Sequence, residues 1–205
     1  MKRIFILAAI LFGCTFKSMA QDYVKLNYEV KPNYSKFYLG FGGGLNNYLG
    51  VAGISGEYRM APKITVFGGL GLGSWGNKAS VGLRYYSDYP QRWALGAGLS
   101  FSGGLEDLKL EMPEGTIVGK NGDTEVLFNL KSAATFNLSA NRYWFINTKK
   151  TNRFNLELGY AIPLGNRRFE VVDNAYQLTR DGLYFMDIMQ PGGINLGIGL
   201  SFGLN

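Results

Sequence analysis

The stretch GINLGIGLSFGL, residues 193–204, alternates without a break. Ile194, Leu196, Ile198, Leu200, Phe202 and Leu204 take every even position, and Gly, Asn or Ser takes every odd one. A period of two places all the large apolar side chains on one face of a β-strand and leaves the other face almost bare. Such a strand cannot stand alone, because both of its edges carry unpaired backbone groups. A closed sheet gives it a neighbour on each side. Near the end of the chain, it is expected to be the last strand and to close against the first.

The same alternation recurs upstream. Phe37, Leu39, Phe41 and Leu45 mark a first strand, and Ala52, Ile54, Tyr58 and Met60 a second. A tight turn at Ala61-Pro62-Lys63 follows, where Pro cannot continue a ladder. Ile64, Val66, Leu70 and Leu72 mark a third strand, and Ala79, Val81, Leu83 and Tyr85 a fourth. Trp93, Leu95, Ala97, Leu99 and Phe101 mark a fifth. Val126, Phe128, Leu130, Ala134, Phe136 and Leu138 keep one phase and read as a sixth, extending toward Ile146. Phe154, Leu156, Leu158, Tyr160 and Ile162 make the seventh, and residues 193–204 the eighth. The expected fold is all-β: an eight-stranded antiparallel up-and-down transmembrane barrel over residues 37–205. Two long polar excursions interrupt it, 103–124 and 163–191. Within the second, Leu183 to Met189 suits either a short helix or a strand extension.

The N-terminus reads as a targeting segment. Lys2 and Arg3 precede an apolar run from Ile4 to Gly13, and Ser18-Met19-Ala20 offers small residues for cleavage. Residues 1–20 are thus expected to be a signal peptide and 21–36 a polar periplasmic leader. Cys14, the one cysteine, leaves with the signal, or is lipidated if Leu11 to Cys14 acts as a lipobox. No internal disulfide is possible either way. Without Lys2, Arg3 and Lys17 the formal charge of +6 falls to +3, and no long basic run points to nucleic acid. No other apolar run is long enough for a spanning helix.

Alternation alone does not say which face is wet. A lipocalin-like barrel turns its apolar face inward around a ligand, and a membrane barrel turns it to lipid. Three features favour lipid. The bare face is built of Gly, Ser, Asn and Ala, which suit a narrow interior better than a water-exposed surface. Trp75, Tyr85, Trp93, Trp144 and Tyr160 sit at or near strand ends, where amphipathic rings meet a membrane interface. The connections alternate in length, with short turns after strands two, four and six, as in outer-membrane barrels. The charges fit the same assignment, and Glu57, Arg84, Lys131 and Glu157 are expected to meet in the lumen as a polar plug.

Residues 37–204 resemble the small eight-stranded outer-membrane barrels of the OmpX, OmpA-barrel and opacity-protein type. The signal, the hairpins and the alternating closing strand carry the likeness. Members usually end on an aromatic residue read by the barrel-assembly machinery. Here the nearest aromatic is Phe202. The resemblance implies residence in the outer membrane of a Gram-negative cell, with outer-membrane lipids and that machinery as partners.

Barrels of this size that are enzymes typically need a His base, and this chain has none. Ser–His, Cys–His and imidazole-metal chemistry are removed with it. No catalytic site, cofactor or metal is expected. The expected role is interaction through the long loops, as an accessory subunit of an outer-membrane complex for assembly, secretion or uptake. A free-standing structural or adhesive barrel is the alternative. A small-solute pore and a soluble ligand-binding barrel follow behind.

Overall fold

The structure, a computed structural model, describes residues 34–87, 91–118, 125–147, 151–165, 169–173 and 176–204. The expected signal peptide, and all of the leader except Tyr34, Ser35 and Lys36, lie outside them. Eight strands form a closed antiparallel barrel. They are β1 (Phe37–Leu45), β2 (Ala52–Ala61), β3 (Ile64–Gly73), β4 (Gly76–Tyr86), β5 (Trp93–Ser102), β9 (Ala133–Phe145), β10 (Asn152–Leu164) and β13 (Gly193–Leu204). Consecutive barrel strands are neighbours, and β13 closes on β1 from Phe37↔Leu204 to Leu45↔Leu196.

The remaining elements lie at one end and come from the two long excursions. They are β6 (Leu105–Glu111), β7 (Ile117–Val118), β8 (Glu125–Leu130), β11 (Phe169–Val171), β12 (Gln177–Leu178) and α1 (Arg180–Met189). β8 is flanked by β6 and β11 in one small sheet, and β7 pairs with β12 in another. The segment around Leu183 is therefore helix. Thr179 caps it by accepting a hydrogen bond from the Gly182 N–H at 3.2 Å, and Asp181 sits in the first turn, where the helix dipole favours an acid.

The expected sixth strand is two strands. Val126, Phe128 and Leu130 are in phase with Ala134, Phe136 and Leu138, so the pattern runs through. β8 nevertheless buries its apolar face in the cap, with Phe128 at 0% exposure, while β9 turns the same parity outward, with Leu138 at 47%. The chain changes sheets at Lys131-Ser132, and alternation carries no trace of it.

The barrel has its apolar face outside. Ile54, Leu70, Leu158 and Ile198 are each more than half exposed. Tyr38, Phe67, Asn137, Asn141, Tyr143 and Asn195 point inward and are almost fully buried.

Candidate functional site

The lumen is filled first by backbone. The β1–β2 connection, residues 46–51, folds into the barrel, burying Asn47 and Tyr48. Tyr48 meets Phe67 edge-on at 4.5 Å, and its main-chain oxygen accepts from Ser80 Oγ at 2.8 Å. Inward glycines of the neighbouring strands β13 and β3 make room for it. A Cβ on Gly197 would come within 2.4 Å of Asn47 Nδ2, and one on Gly71 within 2.0 Å of the Leu49 carbonyl. The bare face of the strands is thus a cast of an infolded loop.

Beneath this plug lies an ionic cluster. Glu57 on β2 receives Arg84 Nη1 from β4 at 2.7 Å and Arg153 Nη2 from β10 at 2.8 Å, both on Oε2. Its Oε1 accepts from Tyr86 Oη at 2.5 Å, and Tyr86 Oη accepts from Arg153 Nη1 at 2.8 Å. Arg84 Nη2 also lies 3.6 Å from Glu157. The guanidinium planes are covered by rings, Arg153 by Tyr38 and Tyr143 at 3.8 and 4.4 Å, and Arg84 by Phe67 at 4.1 Å. Buried charges persist only when paired and hydrogen-bonded, and this cluster supplies both. The cavity between Tyr48, Arg84 and Glu157 is about 30 Å³, the scale of a water molecule rather than a solute. The end at Phe37 and Leu204 is closed as well. Arg59 Nη1 donates to the Pro62 carbonyl at 2.8 Å and stacks over Tyr34, which in turn stacks on Phe145. Wild-type protein in a planar bilayer is accordingly expected to show no steady, large conductance, and a recording of such openings would overturn the sealed lumen.

The structure brings together Glu57, Arg84 and Glu157. Lys131 is a correction: it stands outside the lumen, more than half exposed, and pairs with Glu170 of β11. It follows Leu130 at the point where the chain leaves the cap sheet, so its alternation parity says nothing about the barrel interior. Arg153, which was not among the expected members, takes the place expected of Lys131. It lies one residue into β10, and closure of the barrel carries its head across to β2.

Trp75 is the second correction. It is not at an outer rim but 3% exposed in the core of the cap, with its indole N–H donating to the Lys131 carbonyl at 2.8 Å. Tyr85, Trp93, Trp144 and Tyr160 do face outward, each at least two-fifths exposed. The cap core also includes Met112, Val126, Phe128, Leu130, Phe169 and Met186. The two excursions are therefore one folded module, which their polar composition concealed. At its junction with the barrel a recess of about 690 Å³ lies between Leu45, Pro163, Ile188 and Met189.

No protein-family model matches the chain, and no curated protein sequence matches it either. What the molecule can do must therefore come from its own surfaces. Among the described residues no group of three or more His, Cys, Asp or Glu converges to hold a metal. Glu106, Asp107, Glu111 and Glu114 are exposed on the cap. The cap as described carries more carboxylates than cations. Among the described residues the opposite rim carries Lys36, Lys63, Arg92 and Arg142.

Proposed function

We propose that the chain is a non-enzymatic, integral outer-membrane β-barrel whose folded cap joins it, as an accessory subunit, to a larger outer-membrane complex for assembly, secretion or uptake. The observation that carries the subunit role is the cap. Two loops that only face solvent need no common core, yet these bury Phe128, Met112 and Met186 completely or nearly so. On its outside the cap presents Val118, Tyr184 and Ile188, each about two-thirds exposed. A preformed surface loses little entropy when a partner docks, which suits a standing assembly.

The membrane part of the proposal rests on the outward belt and on strand length. The barrel strands run from 9 to 13 residues, as a tilted strand needs to cross a hydrocarbon core. The sealed lumen argues against a pore, and the outward apolar face against a lipocalin-like ligand barrel. β13, with Ile194, Leu196, Ile198, Leu200, Phe202 and Leu204 outward, is then the strand offered to the assembly machinery.

The test is a gentle-detergent pull-down from native membranes, tagged after Ala20 so that β13 stays free, with Phe128→Ala alongside. Removing a fully buried Phe costs about 3–5 kcal/mol, enough to open the cap while the barrel ladder persists. Defined outer-membrane proteins in fixed ratio with the wild type, lost with Phe128→Ala, are the expected result. A wild-type chain that emerges alone favours the free-standing structural or adhesive barrel.

A further inference from the structure

One charge breaks the rule that charged residues point inward. The inward residues of β9 are the odd-numbered ones, Thr135, Asn137, Ser139, Asn141 and Tyr143, all buried. Arg142 has the opposite parity and faces outward, in register with Trp93 of β5 and Leu156 of β10, both of which are exposed. Its guanidinium lies 4.9 Å from the Trp93 ring and 5.5 Å from the Trp144 ring. The exposed Arg92 stands beside Trp93 on the same rim, and its carbonyl accepts from the N–H of Tyr143, the residue after Arg142, at 2.7 Å. The ion pairs among the described residues leave both arginines without a carboxylate.

Two neighbouring guanidinium groups without a carboxylate at the edge of an apolar belt are stabilised by a shared anion. Guanidinium matches phosphate oxygens in a planar, two-pronged geometry, and an arginine set slightly below an interface extends its stem to bring its head to that level. The flanking tryptophans mark the level at which headgroups lie. Resting on the membrane reading above, we infer that Arg92 and Arg142, between Trp93 and Trp144, form a site for the phosphate of an anionic phospholipid headgroup in the leaflet at the Phe37 and Leu204 end of the barrel. The source is a lipid rather than a free ion, because the site opens sideways onto the apolar belt through Leu156 and Phe154, and Phe154 packs on Trp144 at 5.6 Å.

Trp93 and Trp144 report on the site directly. The full chain is reconstituted in vesicles of phosphatidylcholine mixed with phosphatidylglycerol, one or the other brominated near the headgroup end of its acyl chains, and quenching is followed. Trp75, inside the cap, contributes a constant background. Brominated phosphatidylglycerol is expected to associate about five-fold more strongly than brominated phosphatidylcholine, the preference that one favourable cation near an anionic headgroup supplies. Arg142→Gln should bring the ratio to about one, and Arg142→Lys should keep part of it. Excess inorganic phosphate should leave it unchanged. Equal quenching by the two lipids in the wild type, a ratio that survives Arg142→Gln, or loss of preference to inorganic phosphate would each overturn the site. If Arg142→Gln does not assemble, Arg92→Gln is read in its place, with the same fall expected. Wild-type chain that carbonate strips from the vesicles fails the membrane reading itself, whereas chain that stays and shows no preference fails only the lipid site.

Discussion

Glu57→Gln is expected to cost the vesicle-reconstituted barrel about 3–5 kcal/mol, read as a lower midpoint of urea unfolding. The side chain keeps its volume, so packing hardly changes. What changes is the charge between Arg84 and Arg153, both of which hydrogen-bond to Oε2. Arg84 keeps Glu157 at 3.6 Å, but among the described residues Arg153 pairs with no other carboxylate and is 2% exposed. A buried cation without its counter-charge is the expensive outcome, far more so than the loss of a surface pair. The partner experiment is Glu57→Gln with Arg153→Met, which removes both charges and leaves an apolar stem against Tyr38 and Tyr143. The double variant should be more stable than Glu57→Gln alone, because the orphaned charge has gone with its partner. A single-variant loss below about 1 kcal/mol would mean that water reaches the cluster and that the lumen is not sealed.

Leu158→Arg is the second large effect expected, about 2–4 kcal/mol in lipid vesicles. Leu158 lies at the middle of β10, points outward and is 57% exposed. In water an arginine there would be tolerated, and would even shrink an apolar patch. In a bilayer it must be drawn to an interface or dragged through hydrocarbon. The depth dependence is the signature. Ile194→Arg, at the first turn of β13 beside the cap, should cost only about 0–1 kcal/mol. Equal and negligible costs at both positions would remove the lipid belt, whatever the shape of the barrel.

Much of the barrel was legible in the alternation of residues 37–204. Phe37 to Leu45 and Gly193 to Leu204 announce a first and a last strand, and the in-and-out assignment follows from Gly, Ser and Asn on one parity against Leu, Ile and Phe on the other. The errors share one cause. Lys131, Trp75 and the split at Lys131-Ser132 all concern the cap, where short strands from two distant loops meet. Phe128 and Phe136 are the same residue type in the same phase, and only the sheet each joins decides whether it faces a core or the outside. Arg142 was hidden differently: beside Asn141 and Tyr143 its parity is easily lost among polar neighbours, although counting from Leu138 would have exposed it.

The sequence by itself determined the local physics of this protein: a period of two, prolines and polar residues at the turns, and small residues on one face, because backbone pairing and side-chain alternation act over two or three residues. Tertiary structure alone decided which small residues make room for Asn47 and Tyr48, that Glu57 meets Arg153 across the lumen, and that two polar excursions share a core. Those contacts join segments far apart in the chain. The first two need β13 to close on β1, since closure sets the diameter into which the loop and the charges must fit.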